Sequence, residues 1–265
     1  MIWAVQRVLC PVHVGRDDEV AAVMAAIDAV SRTHRGAAYV VAGEAGLGKS
    51  RLVGEAVAGA ESLSFVRLVG HASPDASVPY APVVGAIRRY TRRIDDRALA
   101  QLLGGSASLA AALLPEARGA AVPVESQPPA PEDLFAAVWQ LLYRISTESC
   151  GLLVLEDLHW ADPDTLRLCG YIVREVADLP MLVLGTYRPD ELHRRHPLHL
   201  LLAALIKDRV LGEIRLRPLD REQARSLLSA TFDGTEVSDE FVDALQAQAD
   251  GNPFFLAEPS WIARA

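Results

Sequence analysis

Residues 43–50 read Gly-Glu-Ala-Gly-Leu-Gly-Lys-Ser, a stretch that matches the spacing G-x-x-x-x-G-K-[ST]. The six residues before it, 37–42, are apolar and partly β-branched, as in a buried strand. The residues after it, to about position 58, contain no proline and can continue as a helix. Because strand, glycine-rich turn and helix form the context that this motif needs, the stretch predicts a phosphate-binding loop.

The residue types of this loop explain how it would hold a triphosphate. Glycines let backbone N–H groups approach phosphate oxygens, and a helix beginning at Lys49 adds the positive end of its dipole. Lys49 is expected to reach the β- and γ-phosphates, and the hydroxyl of Ser50 to ligate Mg²⁺. The alternative is a glycine-rich turn that only joins a strand to a helix. The residues predicted to contact the phosphates are Glu44, Ala45, Gly46, Leu47, Gly48, Lys49, Ser50 and Arg51.

A second chemical signal is an apolar run that ends in two acids, Glu156 and Asp157. Such an unbroken run is typical of a central parallel strand buried on both faces. Ligands of these sheets bind at the carboxyl ends of the strands, where both acids would emerge. The pair is therefore predicted to serve the Mg²⁺ shell and to polarise an attacking water. His159 and Trp160 follow and either pack or shape the site near that water.

Residues 181–188 predict another buried strand that ends in polar side chains. Thr186 can hydrogen-bond a water or a phosphate oxygen, and Arg188 can offer a forked donor to a γ-phosphate. The alternative for Arg188 is a structural ion pair at the edge of the sheet.

Composition limits the class of protein. With 265 residues, 51% hydrophobic and 23% charged, the chain is expected to bury a sizeable core. A net charge of −8 argues against a surface wholly devoted to nucleic acid or to an anionic membrane. Cys10, Cys150 and Cys169 share no metal-ligand spacing and are typical of reduced thiols. No apolar run reaches membrane length, so we expect a soluble cytoplasmic protein without membrane contact.

These patterns predict an α/β fold: a three-layer phosphate-loop domain with a mostly parallel, five-stranded sheet and a small C-terminal helical lid. Residues 1–219 form the predicted core, with a helical insertion at about 73–147 that covers the nucleotide site. Residues 220–265 form a truncated lid with helices at about 221–232 and 238–249. The predicted strands lie at 37–42, 63–70, 151–157, 181–188 and 213–219.

Five segments, in this order, resemble the ATPase module of signal-transduction ATPases with numerous domains (STAND), a branch related to AAA+ proteins. The resemblance is strongest to the large ATP-binding regulators of the LuxR type, and similar modules are fused to bacterial nucleotide cyclases and protein kinases. The segments are Val14-Gly15-Arg16 with Glu19, the loop at 43–50, the run EDLHWAD at 156–162, GTYR at 185–188 and GNPFFL at 251–256.

The resemblance implies a slow, Mg²⁺-dependent ATPase that acts as the switch module of a transcriptional regulator. ATP would hold an active state, often self-associated through this module, and hydrolysis to ADP would reset it. DNA contact would come only through domains that follow residue 256 in the family and that this chain does not contain.

The resemblance also implies roles for individual residues. Val14, Gly15, Arg16 and Pro253 would contact adenine. The acid at 156 would hold Mg²⁺ through water, the acid at 157 would act as the catalytic acid–base, and the arginine at 188 would sense the γ-phosphate.

One departure and two alternatives accompany this interpretation. The family often carries Asp where this chain has Glu156, which would move part of the metal role to Asp157. The alternative function is a nucleotide-binding scaffold without useful turnover that acts through protein partners. A small-molecule or nucleotide kinase is less favoured, because no dedicated acceptor site is recognisable.

Overall fold

Five parallel strands form a single sheet in the part of the chain that the computed structural model describes, residues 14–75, 78–103, 130–232 and 237–257. The strands are β1 (Ala37–Ala42), β2 (Val66–His71), β3 (Gly151–Glu156), β4 (Met181–Tyr187) and β5 (Gly212–Arg215). Their order across the sheet is β2-β3-β4-β1-β5, and every neighbouring pair is parallel. The predicted α/β class and five-stranded sheet are confirmed.

Helices connect these strands and follow the last one. They are α1 (Asp17–Thr33), α2 (Lys49–Ser62), α3 (Ala81–Thr91), α4 (Asp96–Leu103), α5 (Pro131–Thr147), α6 (Pro163–Glu175), α7 (Pro197–Lys207), α8 (Arg221–Thr231), α9 (Asp239–Ala249) and α10 (Pro253–Leu256). Short 3₁₀ turns lie at Leu158–Trp160, Val176–Asp178 and Pro189–Glu191. The sequence patterns did not predict α6 and α7, although parallel neighbours need crossover connections.

The sheet is buried on both faces because its strands alternate between two helical layers. In β3, Leu152 and Val154 pack with α1 and α2, whereas Leu153 and Leu155 pack with α3, α5, α6 and α7. Alternate strand residues point to opposite faces, so a run without polar residues needs a layer on each side. This is the predicted three-layer arrangement.

Two strand boundaries differ from the predicted ones by more than one residue. β2 begins at Val66 and not at residue 63, because α2 continues to Ser62 and the chain turns at Ser64, which has a φ of 59°. β5 ends at Arg215, and pairing continues only through the bond from the N–H of Leu216 to the carbonyl of Ala42. Pro218, which has no N–H to donate, excludes a longer ladder.

The predicted helical insertion contains α3, α4 and α5 in its described part. Val83 and Ile87 of α3 and Leu142 of α5 are completely buried in the same core cluster as Leu153 of the sheet. These helices therefore form part of a layer of the fold, between β2 and β3 in the chain. Residues 76–77 and 104–129, which belong to the predicted insertion at about 73–147, lie outside the described residues.

The C-terminal helices α8, α9 and α10 form a small core of their own around Leu228, Val242 and Leu256. Asp220 and Gln223 make a reciprocal capping box at the start of α8, which fixes where that helix begins. The C-terminal helices are those that the sequence predicted, whereas their role as a lid spanning residues 220–265 stays a prediction. Residues 233–236 and 258–265 lie outside the described part.

Two further expectations concern the thiols and the membrane. Cys150 and Cys169 are free thiols, and Cys10 lies outside the described residues. Across the described ranges, no helix combines the length and the apolar character that crossing a bilayer requires.

Candidate functional site

The glycine-rich stretch forms a tight loop between β1 and α2, at the carboxyl edge of the sheet. Gly46 and Gly48 have φ angles of +83° and +100°, in the left-handed region that side chains with a Cβ rarely adopt. Leu47 between them is 3% exposed and anchors the loop in the core beneath α1 and α2. The loop thus curls around the start of α2, as the motif predicts.

Lys49 is held inside the loop that it follows. Its side chain is buried, and Nζ donates to the carbonyls of Gly43 at 2.7 Å and of Glu44 at 2.9 Å. Burial lowers the pKa of Lys49, and the positive charge of Arg188 lowers it further, while Asp157 acts in the opposite direction. The positive charges of Lys49 and Arg188 thus act on each other, and an anion close to both would reduce this repulsion.

Glu156, at the end of β3, is the centre of the predicted metal site. Ser50 Oγ donates to Glu156 Oε2 at 3.2 Å, and His71 Nδ1 lies 3.3 Å from Glu156 Oε1. Burial raises the pKa of the Glu156 carboxyl, although the charge of His71 and the bond from Ser50 partly offset this. Sequence reasoning missed His71, which pairs with Glu156 across the β2–β3 ladder directly after the last predicted strand residue.

The oxygen atoms of Ser50 and Glu156, with Asp157 beside them, are the hard ligands that Mg²⁺ prefers. A nearby cation would also stabilise the ionised form of the buried Glu156 carboxyl. The described residues contain no cluster of three His, Cys, Asp or Glu able to hold an ion by themselves. The residues therefore fit a magnesium ion that shares its ligands with phosphate oxygens and water, not one enclosed by protein.

A hydrogen bond joins Asp157, which follows β3, to Thr186 near the end of the neighbouring strand β4. The backbone N–H of Asp157 donates to Thr186 Oγ1 at 3.0 Å, and Thr186 is 1% exposed. Asp157 has a φ of +57°, so its backbone turns sharply as it leaves the strand. The Thr186 hydroxyl orients this turn, and its predicted contact with a water or phosphate oxygen stays a prediction.

Arg188 makes the ion pair that the sequence offered as its structural alternative. Its Nη1 donates to Glu191 Oε1 at 2.6 Å, and its guanidinium carbon lies 5.3 Å from the ring centroid of Trp160. Trp160 Nε1 donates to the other carboxylate oxygen of Glu191 at 3.1 Å. Sequence reasoning did not single out Glu191, although an acid three residues after an arginine is a recognisable signal.

His159 lies beneath this cluster with a fully buried imidazole. Its Nε2 is 3.4 Å from Glu191 Oε2, but the geometry is not that of a hydrogen bond, and neither ring nitrogen has another partner among the described residues. Burial lowers the pKa of His159, although Glu191 and Asp157 act in the opposite direction. The buried imidazole is compatible with packing, and both predicted roles of this histidine, packing or shaping the site near the water, stay predictions.

The Val14–Arg16 segment lies between the phosphate loop and the lid. Arg16 is 6% exposed, and its Nη2 donates to the carbonyls of Leu47 at 3.2 Å and of Arg217 at 2.5 Å. Gly15, with a φ of +67°, accepts a bond from Gln223 Nε2 of α8 at 3.3 Å. Arg16 and Gly15 thus join three parts of the chain that are distant in sequence, and their predicted adenine contact remains a prediction.

The lid reaches the phosphate loop directly through Asn252. Its Nδ2 donates to the carbonyl of Ala45 at 2.8 Å, and its Oδ1 accepts from the N–H of Phe254 as the cap of α10. Pro253, predicted to contact adenine, therefore begins a helix tied to the loop. Sequence reasoning quoted Asn252 within GNPFFL but gave it no role.

Comparison with known proteins identifies the family of this domain. Residues 13–184 match the model of the AAA ATPase domain. The chain belongs to the AAA ATPase domain family. Membership of this AAA family implies nucleotide binding and ATPase activity. The match contains the phosphate loop and both acids, whereas Arg188 and the lid lie beyond it.

One curated relative of this AAA domain is an uncharacterized protein of Rhizobium meliloti (strain 1021). It is 25% identical over 140 residues, which are 50% of this chain and 12% of that protein. The chain therefore spans about an eighth of the length of this relative.

Several solved structures share the fold. An Orc1 protein of Aeropyrum pernix, solved in complex with DNA, has a TM-score of 0.55 at 16% identity over 98% of this chain and 62% of its own. A STAND protein with a tetratricopeptide repeat sensor from Pyrococcus horikoshii has a TM-score of 0.53 at 15% identity. The similarity covers 93% of this chain and 29% of that protein. Cdc6p of Pyrobaculum aerophilum has a TM-score of 0.56 at 12% identity, and the similarity covers 96% of this chain and 63% of that protein. These AAA-type likenesses establish the architecture, and this chain covers less than two thirds of each.

Proposed function

We propose that this AAA domain binds ATP and hydrolyses it slowly with Mg²⁺, as the switch module of a LuxR-type transcriptional regulator. The observation that carries the proposal is a convergence at one edge of the sheet, where Lys49, Glu156, Asp157 and Arg188 surround the loop to which Asn252 ties the lid. The regulator class rests on the sequence resemblance alone.

The loop and Lys49 bind the phosphates. Backbone N–H groups around Gly46 and Gly48 can approach phosphate oxygens closely because these positions lack a Cβ. Lys49 Nζ already lies at the loop, and exchanging its two carbonyl acceptors for phosphate oxygens would give it charged partners.

Ser50, Glu156 and Asp157 would hold the metal. When bound, Mg²⁺ supplies positive charge that neutralises the developing charge on the phosphate oxygens. Ionised Glu156 is needed for this role, and its burial against Ser50 and His71 keeps the carboxylate at a fixed place.

Asp157 acts as the acid–base. Thr186 fixes the backbone of Asp157, so the carboxylate projects from a defined turn and can accept a proton from the attacking water. Arg188 then offers its guanidinium to the γ-phosphate, the group that distinguishes ATP from ADP.

The switch follows from the contacts between loop and lid. Val14, Gly15, Arg16 and Pro253 would contact adenine, and the same segments bind the loop and α8. A nucleotide that touches both the loop and the lid favours one arrangement of the two over others. We further propose self-association through this module, and DNA contact only through other domains of a full-length regulator.

The first test is calorimetric titration of the chain with ATP and ADP in Mg²⁺, with phosphate release followed on the same sample. We expect binding with slow release. Lys49→Ala should abolish binding, since it removes the charge at the loop, whereas Asp157→Asn should bind ATP and lose turnover. Hydrolysis at the wild-type rate by both variants would show that the site assignment is wrong.

The scaffold alternative is favoured by one observation. Glu191 accepts a hydrogen bond from Arg188 Nη1, the contact expected if this arginine has a structural role. Binding of both nucleotides without phosphate release by the wild type would support this alternative over the ATPase switch.

A further inference from the structure

We propose that Glu191 is a positioning residue: it holds Arg188 against Trp160 at the phosphate loop, and thereby sets the preference of the site for ATP over ADP. This inference rests on the proposed function, because it concerns how the proposed γ-phosphate sensor is oriented.

The geometry around Glu191 is specific. One carboxylate oxygen accepts from Arg188 at 2.6 Å and the other from Trp160 at 3.1 Å. The Trp160 ring also lies under the guanidinium, 5.3 Å from its central carbon, so the indole contacts both members of the ion pair. An exposed pair held only by charge samples many geometries, whereas three contacts among three side chains define one.

The charges show why an anchor is needed. Arg188 lies close enough to Lys49 to contribute to the lowering of its pKa, so the two cations repel each other across the loop. Without a counter-ion, Arg188 would be driven away from Lys49 and towards solvent. Glu191 supplies the opposite charge, and in this ion pair the Arg188 side chain is 27% exposed.

The ionised state of Glu191 supports this role. Its partial burial acts to raise the pKa, but the bond from Arg188, the charges of His159 and Arg188, and the bond from Trp160 outweigh this and lower it. The carboxylate is therefore charged at neutral pH.

Part of the Arg188 guanidinium is not used by the pair with Glu191. Its Nε is buried and has no hydrogen-bond partner among the described residues. A buried donor without a partner is unfavourable, and a phosphate oxygen would satisfy it. The pair with Glu191 uses Nη1, so positioning by Glu191 and recognition of a γ-phosphate do not compete for the same atom.

The test compares Glu191→Gln with Asp190→Asn, a matched control that removes the same charge from the neighbouring exposed residue. Calorimetry with ADP and with the non-hydrolysable analogue AMP-PNP, both in Mg²⁺, measures the preference for a γ-phosphate. We expect Glu191→Gln to bind ADP like wild type but AMP-PNP about fivefold more weakly. We expect its kcat to fall about tenfold, because a displaced sensor loses alignment. Asp190→Asn should keep the wild-type affinities for ADP and AMP-PNP and the wild-type kcat.

A double-mutant cycle shows whether Glu191 acts through Arg188. Arg188→Ala and the combination Arg188→Ala with Glu191→Gln should have the same AMP-PNP affinity, because there is no guanidinium left to position. Trp160→Phe keeps an aromatic face but loses the N–H donor, and should show a smaller loss than Glu191→Gln.

The outcomes separate two failures. If wild type binds AMP-PNP but Glu191→Gln behaves like Asp190→Asn, or binds AMP-PNP more tightly, the positioning role is wrong and the proposed function stands. If wild type binds neither nucleotide, both are wrong. Retained ADP binding by Glu191→Gln shows that the variant is folded.

Discussion

The sheet edge and the C-terminal lid hold the phosphate loop in different ways. The edge residues Glu156 and Asp157 follow a strand whose side chains are buried between two helical layers. The lid has a separate small core. Its Gln223 side chain donates to the carbonyl of Gly15, and its Asn252 side chain donates to the carbonyl of Ala45 in the loop. The candidate site residues therefore sit on a packed scaffold, while the C-terminal helices are attached to the loop through polar bonds that can exchange.

The largest expected effect comes from matched cavities in the two cores. Leu153 of β3 and Leu228 of α8 are both completely buried. Leu153→Ala should lower the free energy of unfolding of the whole domain by about 2–5 kcal/mol, the usual cost of such a truncation. Leu228→Ala should instead remove hydrogen-exchange protection from α8–α10 and leave the sheet amides protected.

Denaturant unfolding and hydrogen exchange on nucleotide-free protein measure both variants. Equal loss of protection in the sheet and in the lid on Leu228→Ala would mean that the two cores unfold as one unit, which would remove the contrast between them.

A second comparison separates backbone strain from displacement of the lid. A Cβ at Gly46 would lie 2.5 Å from Asn252 Oδ1 and 2.8 Å from Phe254 Cβ, whereas one at Gly48 meets nothing within 4 Å. Alanine at either position carries left-handed strain of about 1–2 kcal/mol. Only Gly46→Ala should expose the amides of α10 to hydrogen exchange, since only its Cβ pushes Asn252 from the loop. Increased exchange of α10 in Gly48→Ala would contradict this account.

Asn252→Ser tests the bond between lid and loop more gently. Serine still caps α10 but is too short to reach the carbonyl of Ala45. The lost bond should weaken closure of the lid by about 0.5–1.5 kcal/mol, seen as several-fold weaker ADP binding in calorimetry. Asn252→Ala removes the cap as well and should cost about 1 kcal/mol more in stability. Wild-type ADP affinity in Asn252→Ser would show that the lid does not act through this bond.

The smallest effect is a pH dependence at the rigid edge. Burial raises the pKa of Glu156, so between its ordinary and its raised value the folded state binds more protons than the unfolded state. The stability contribution of this group is therefore complete below the ordinary value and is lost as pH rises through the raised one. Unfolding free energies of wild type and Glu156→Gln, measured against pH without Mg²⁺, should diverge in this window. If the free energies of unfolding of the two proteins change in parallel across this pH range, the raised pKa of Glu156 is wrong.

The elements that sequence reasoning found were those with strong local signals. The phosphate loop, β3 with its two acids and β4 with Thr186 and Arg188 follow from apolar runs that end in polar residues. Helices α6 and α7 were missed, although each begins with a local helix-start signal, a capping residue followed by proline. These signals are Asp162-Pro163 and His196-Pro197. In α6 the side chain of Asp162 caps the first turn, so the final acid of EDLHWAD has a structural role.

The sequence by itself determined the fold class and which polar residues end the strands at the sheet edge, because periodic burial and glycine-rich turns are properties of contiguous residues. Only the tertiary structure decided which distant groups meet: Asn252 with Ala45, His71 with Glu156, and Trp160 with Glu191 beneath Arg188. The order of the strands and the angle at which the lid returns set these contacts. Neither is encoded in a local pattern, since both depend on how whole layers pack together.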